Sequence, residues 1–172
     1  MNAPSPNSLA HLDIEAVVNQ WLSAFEAAVS RDDAKAAAAL FVDDSHWRDL
    51  VAFTWHIDTV SGAGKIEAAL RQRLPKTKPS NFRIAAGRTP PRAVTRAGVD
   101  CIEALIQFET QHGRGSGIVR LIAPLKGATE HMRCWVLLTT QDEIKGHEER
   151  IGKRRPRGEE WSGGFGGANW MD

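Results

Sequence analysis

The sequence predicts one α+β domain in which an antiparallel sheet is laid over helices that come first in the chain. Three observations predict it. Apolar residues recur at helical spacing only before residue 80. Everything from Asn81 to Ile144 reads as strands with no helix between them, so neighbours pair antiparallel. One face of Cys101–Glu109 is wholly apolar, with Ile102, Ala104, Ile106 and Phe108, while the other carries Glu103, Gln107 and Glu109.

The elements follow in order. Met1 to Leu9 reads as a disordered start. Asp13 is an N-cap with Glu15 in the first turn, and Val17, Val18, Trp21, Leu22, Phe25, Ala28 and Val29 form the stripe of a first helix. Asp32 and Asp33 open a short alanine-rich helix to Leu40. Phe41 to Ser45 reads as a turn-like exit, His46 to Trp55 as a strand and a bend, and His56 to Val60 as a second short strand. Ser61 caps a third helix whose face is Ile66, Ala69, Leu70 and Leu74, and Pro75 and Pro79 stop it. Strands are expected at 81–88, 92–97, 100–110, 116–125 and 131–142. Their turns fall at Gly98, at His112-Gly113-Arg114-Gly115 and at Lys126-Gly127-Ala128.

The 172 residues are one domain's worth, and 42% hydrophobic with 25% charged is ordinary for a globular chain. A net charge of +1 supplies no global field for nucleic acid or an anionic membrane. No apolar run reaches the ~20 residues of a spanning helix, and no secretory signal is visible. Cys101 and Cys134 lie in apolar, strand-like stretches and read as buried reduced thiols, so a cytoplasmic location is expected. The six histidines show no metal-ligand spacing, and no metal site is expected. Six Trp and six Phe stand against no Tyr; indoles serve equally as pocket walls and as core.

The strand after Ser45 carries the candidate chemistry. In a regular strand Trp47, Asp49, Val51 and Phe53 share the more apolar face, so Asp49 points inward as a lone carboxylate among aromatics. That placement suits a general base acting on a carbon acid or on water. His56 and Asp58, two apart on the next strand, share a face and are candidates for an oriented acid–base dyad. Trp47, Phe53, Trp55 and Trp135 are candidate pocket walls, and Arg48 a candidate anion holder. The competing reading makes Asp49 an acceptor for loop amides and His56–Asp58 a surface pair. A one-residue slip would turn Arg48 inward instead.

This element order, with Leu40-Phe41-Val42-Asp43-Asp44 followed by His46-Trp47-Arg48-Asp49-Leu50, resembles the nuclear transport factor 2-like superfamily. That group includes SnoaL-like cyclases, ketosteroid isomerase, scytalone dehydratase and limonene epoxide hydrolase. The resemblance implies a cone-shaped half-barrel: a strongly curved antiparallel sheet wrapped around three N-terminal helices, with a hydrophobic pocket at the open end. It also implies a homodimer. A narrower resemblance lies in Trp47–Trp55 and in His147-Glu148-Glu149-Arg150-Ile151-Gly152-Lys153-Arg154-Arg155-Pro156-Arg157-Gly158. These look like the N-terminal part of microbial flavin-containing monooxygenase-like proteins, in which the region matching Asn169–Asp172 leads into a flavin domain. By that resemblance the sequence ends where the flavin domain begins, and FAD and NADP enter only if such a domain is joined in cis. The expected organisation is a disordered 1–9, a domain at 10–144, and a linker or arm at 145–172.

The tail adds no site of its own. Gly163-Gly164-Phe165-Gly166-Gly167 follows no strand and opens no helix, both of which a dinucleotide site needs. Lys153-Arg154-Arg155-Pro156-Arg157 is flanked by acidic residues and reads as a solvated or interdomain cluster, not a nucleic-acid patch. Three functions stay open: a pocket-bearing accessory domain beside a flavin domain; a stand-alone isomerase, cyclase, dehydratase or hydrolase using Asp49 and His56 without a cofactor; and a dimerisation scaffold. The first two take a hydrophobic small molecule.

Overall fold

The structure is a computed structural model and describes residues 9, 12–123 and 131–155. The rest of the expected disordered start, the turn at Lys126-Gly127-Ala128, the residues from Pro156 on and the Gly-rich stretch lie outside the described residues.

Helix α1 (Ile14–Val29) begins where the Asp13 side chain accepts the Ala16 amide at 3.0 Å. It buries Val18, Trp21, Leu22, Phe25, Ala28 and Val29. Asp33 caps α2 (Ala34–Ala38) in the same way through the Ala36 amide. Strand β1 (Phe41–Leu50) starts at Phe41, so the expected turn at Phe41–Ser45 is corrected to strand. Extra residues between Phe41 and His46 shift the register there, and this irregular pairing blurs the strand signal. Strand β2 (Ile57–Ser61) returns antiparallel along β1.

Helix α3 (Ala63–Thr77) buries Ile66, Leu70, Leu74 and Thr77. Its N-cap is Gly62, not Ser61. The chain turns there at φ +93°, a left-handed conformation that favours glycine, while the Gly62 amide bonds the Ser45 carbonyl at 2.7 Å. Pro75 lies inside the last turn instead of stopping the helix. So near the end it removes a single N–H, and the Leu74 carbonyl still receives the Lys78 amide at 2.9 Å.

The remaining strands are β3 (Ser80–Ile84), β4 (Arg92–Arg96), β5 (Val99–Glu109), β6 (Gly113–Ile122) and β7 (Arg133–Ile144). The seven form one curved, unclosed sheet in the order β2-β1-β7-β6-β5-β3, with β4 also pairing β5. Every pairing is antiparallel except β1 with β7, which is parallel. These two strands are far apart in sequence, so a long crossover joins them, as parallel pairing requires. The helices pack on the inner face, making an α+β cone. Its core includes Trp21, Phe25, Phe41, Phe108, Ile102 and Leu121, and Leu9 is buried with it. Cys101 and Cys134 are both buried, and burial pushes both thiols up in pKa.

Strand β6 begins three residues earlier than 116, inside the expected turn. Gly113, Gly115 and Gly117 all point inward, and none has room for a side chain. A Cβ on Gly115 would lie 2.4 Å from the Thr140 carbonyl and 2.6 Å from the Phe108 ring. These glycines permit close approach in a strand, where sequence reading takes them for a turn.

Candidate functional site

Alternation along β1 turns Ser45, Trp47 and Asp49 inward, and all three are buried. Asp49 is fully enclosed. Its Oδ2 accepts the amides of Phe53 at 3.0 Å and Thr54 at 2.9 Å, and its Oδ1 accepts the Thr139 hydroxyl at 2.7 Å. Thr139 sits opposite on β7 and its Oγ1 accepts the Trp47 indole N–H at 3.0 Å. The result is a buried chain from Trp47 through Thr139 and Asp49 to the loop between β1 and β2. It holds that loop in shape although Val51 enters it at φ +58°, an uncommon conformation for a β-branched residue.

Helix α3 brings Arg73 to the same place. Arg73 lies seven residues after Ile66 and so shares its apolar stripe. The guanidinium stacks 4.9 Å from the centre of the Trp47 ring. Its Nη2 donates to Asp58 on β2, whose carboxyl the Arg73 contact holds below the usual carboxylate range. Asp58 faces Asp49 directly across the strand pair. Like charges so placed repel, and Arg73 offsets that. The side chain of Arg73 is 14% exposed, and its Nη1 is buried with no hydrogen-bond partner among the described residues.

These elements border an open cavity of about 370 Å³. The loop residues Val51 to Trp55 form one wall, and Gln72, Arg73, Lys76 and Thr77 of α3 form another. Thr110, His112 and Gln141 complete the lining. Gln141 occupies space that Gly113 leaves: a Cβ on that glycine would lie 1.6 Å from the Gln141 side-chain nitrogen. Phe53 is buried at the base of the loop and Trp55 is 66% exposed at its tip. The lining contains Arg73, Lys76 and His112 and no carboxylate.

No protein-family model matches the chain, and no curated protein matches it in sequence. Solved structures do. A domain of unknown function with a cystatin-like fold from Nostoc punctiforme has a TM-score of 0.56 at 13% identity, over 75% of this chain and 77% of that one. A ketosteroid isomerase-like protein from Erwinia carotovora atroseptica has a TM-score of 0.52 at 12% identity, over 75% and 96%. A dehydratase candidate of the nuclear transport factor 2-like family from Streptomyces avermitilis has a TM-score of 0.52 at 11% identity, over 74% and 95%. The fold is nuclear transport factor 2-like.

Within this nuclear transport factor 2-like cone, the expected site residues separate. Phe53 and Trp55 line the cavity. Trp47 lies beneath Arg73 and meets Phe53 edge-on at 5.0 Å. Asp49 has the inward direction expected of it but faces loop amides and the Thr139 hydroxyl. Arg48 is exposed on the outer face, with Nη1 3.4 Å from the Thr59 hydroxyl. His56 is exposed, and Asp58 bonds Arg73 and not His56. Trp135 sits at a β-bulge opposite Arg120 and Leu121, away from the cavity lining. Among the described residues no three His, Cys, Asp or Glu are grouped to hold a metal, and no helix is long and apolar enough to cross a membrane. Sequence reading missed Arg73, Lys76, His112, Thr139 and Gln141. Only Arg73 carried a signal: a guanidinium in the apolar stripe of a helix.

Proposed function

We propose that this chain is a small-molecule domain whose ligand enters between the β1–β2 loop, the end of α3 and the β5–β6 hairpin. The observation that carries the reading is the cavity of about 370 Å³, walled by Phe53 and Trp55 and edged by Thr54, Thr77, Thr110 and Gln141. A few placed polar groups on an apolar wall are the usual make-up of a ligand site, and the volume lies within the range of about 300–1,000 Å³.

Cofactor-free chemistry of the isomerase, cyclase, dehydratase or hydrolase kind is favoured over an accessory role beside a flavin domain. Fold neighbours described as ketosteroid isomerase-like and as a dehydratase candidate support that preference. The Trp47–Trp55 stretch that carries the flavin-linked resemblance forms, in this chain, the end of β1 and the loop that Asp49 organises. In this reading Asp49 shapes the wall. His112 is the lining side chain able both to accept and to donate a proton.

The test is titration with a panel of small ring compounds, neutral and charged, followed by tryptophan fluorescence and calorimetry. Saturable quenching that is lost in Trp55→Phe, with calorimetric binding retained, is the expected result. A folded protein that binds no member of the panel at millimolar concentration overturns the reading.

A further inference from the structure

Resting on that pocket reading, we propose that the ligand is an organic carboxylate: a single negative charge on a compact, ring-sized apolar body. The lining supplies the charge balance. Arg73 and Asp58 neutralise each other, Lys76 has no ion-pair partner among the described residues, and no carboxylate lines the cavity. Asp49 lies behind the wall with donors of its own, so the lining itself is basic, and an anion complements it.

Hydrogen bonding points the same way. Arg73 gives Asp58 one terminal nitrogen and keeps Nη1 buried without a partner among the described residues. An unpaired buried guanidinium nitrogen is costly, and an incoming carboxylate oxygen is the acceptor it lacks. Nη1 is closed to solvent, so in this proposal the anion reaches it only by displacing side chains of the lining around Arg73. Thr110 adds a second donor. Its Oγ1 accepts the amides of His112 at 3.3 Å and Gly113 at 3.0 Å, and its own proton has no acceptor among the described residues. The apolar body then lies against Phe53 and Trp55. A volume of about 370 Å³ fits one ring with a short arm.

The experiment compares cinnamate, cinnamamide and phenyl phosphate by calorimetry on the intact chain. Cinnamate is expected to bind about tenfold or more tightly than the isosteric neutral amide, as a charge-assisted hydrogen bond to Arg73 requires. Lys76→Gln, an exposed substitution that leaves the fold alone, is expected to weaken cinnamate by about threefold to tenfold and leave the amide unchanged. Arg73→Lys keeps the charge next to Asp58 and is expected to weaken cinnamate at least as much, since the planar fork is lost. Equal binding of cinnamate and cinnamamide overturns the anion inference and leaves the pocket reading standing. Tighter binding of phenyl phosphate overturns the choice of a carboxylate. If none of the three binds and a wider panel is also silent, the pocket reading itself falls.

Discussion

At Asp49 every bond that the carboxylate receives comes from a donor: two amides of the loop and the hydroxyls of Thr54 and Thr139. Asp49→Asn replaces one acceptor oxygen with an NH₂ group that faces those donors. The expected cost is about 1.5–3 kcal/mol, the scale of a lost hydrogen bond to a charged group. Urea denaturation reads it, and the emission of Trp55 at the loop tip should shift with it. Thr139→Val is an independent probe, because it removes the acceptor of the Trp47 indole and the donor to Asp49 Oδ1 together. A loss of about 1–3 kcal/mol is expected there. Arg48→Ala, on the exposed outer face, should stay within about 0.5 kcal/mol of the parent. A stable Asp49→Asn variant with an unchanged Trp55 spectrum would show that the loop is held by something other than this carboxylate.

Among the elements, β5 joins most of the sheet, and its outer face shows what the pairing holds. Glu103 receives Arg96 through Nε at 3.0 Å and Nη2 at 2.8 Å, and Arg120 of β6 through Nε at 2.9 Å. The Arg96 contact first, and Arg120 with it, lowers the Glu103 carboxyl to about 2 against burial, which pushes the other way. A carboxyl with a depressed folded pKa contributes stability that is present above its unfolded pKa and lost as pH falls through the folded value. The Glu103 contribution should therefore be complete above pH ~4.5 and fade as pH drops toward about 2. Glu103→Gln is expected to cost about 1–2 kcal/mol at pH 7, a figure held down because the arginines are partly in water, and almost nothing near pH 2. A variant equally destabilised at both pH values would place its effect in packing. The two faces of this strand were legible in the sequence because each follows from strict alternation. Gly113, Gly115 and Gly117 were not. Their role depends on how closely β7 and Phe108 approach, and glycine in a strand carries the same local signal as glycine in a turn. The parallel β1–β7 pairing was hidden for a related reason: the expectation of antiparallel strands came from neighbours in sequence, and these two are not neighbours.

Across the whole molecule the cavity is assembled from four separate stretches, at 51–55, 72–77, 110–112 and 141. No single stretch carries a motif for it, so Phe53 and Trp55 were found through the strand they follow, while Lys76, His112 and Gln141 were not. What ties the cavity to the far end of the cone is a run of aromatic contacts. Trp21 stacks on Phe25 at 5.0 Å, Phe25 meets Phe82 at 5.2 Å, and Phe82 stacks on Phe108 at 5.3 Å. Phe108 then meets Phe53 at 5.9 Å, and Phe53 meets Trp47 at 5.0 Å under the Arg73 guanidinium. Interiors packed this tightly pass strain between neighbours, so a void at Phe108 should be felt at the loop. Phe108→Ala is expected to cost about 3–5 kcal/mol, and Phe25→Ala a similar amount, since both rings are fully buried. The two should differ at the cavity. Phe108 touches Phe53 directly, whereas Phe25 stands two contacts further away, so under conditions where both variants remain folded Phe108→Ala should weaken ligand binding and Phe25→Ala should not. Urea titration gives the stabilities, and calorimetry with the tightest compound of the panel gives the binding. If the two variants lose affinity equally, the aromatic run does not set the shape of the pocket wall and general loosening of the core accounts for the effect. If neither loses it, the bonds from Asp49 to Phe53 and Thr54 hold the loop without help from the ring beneath.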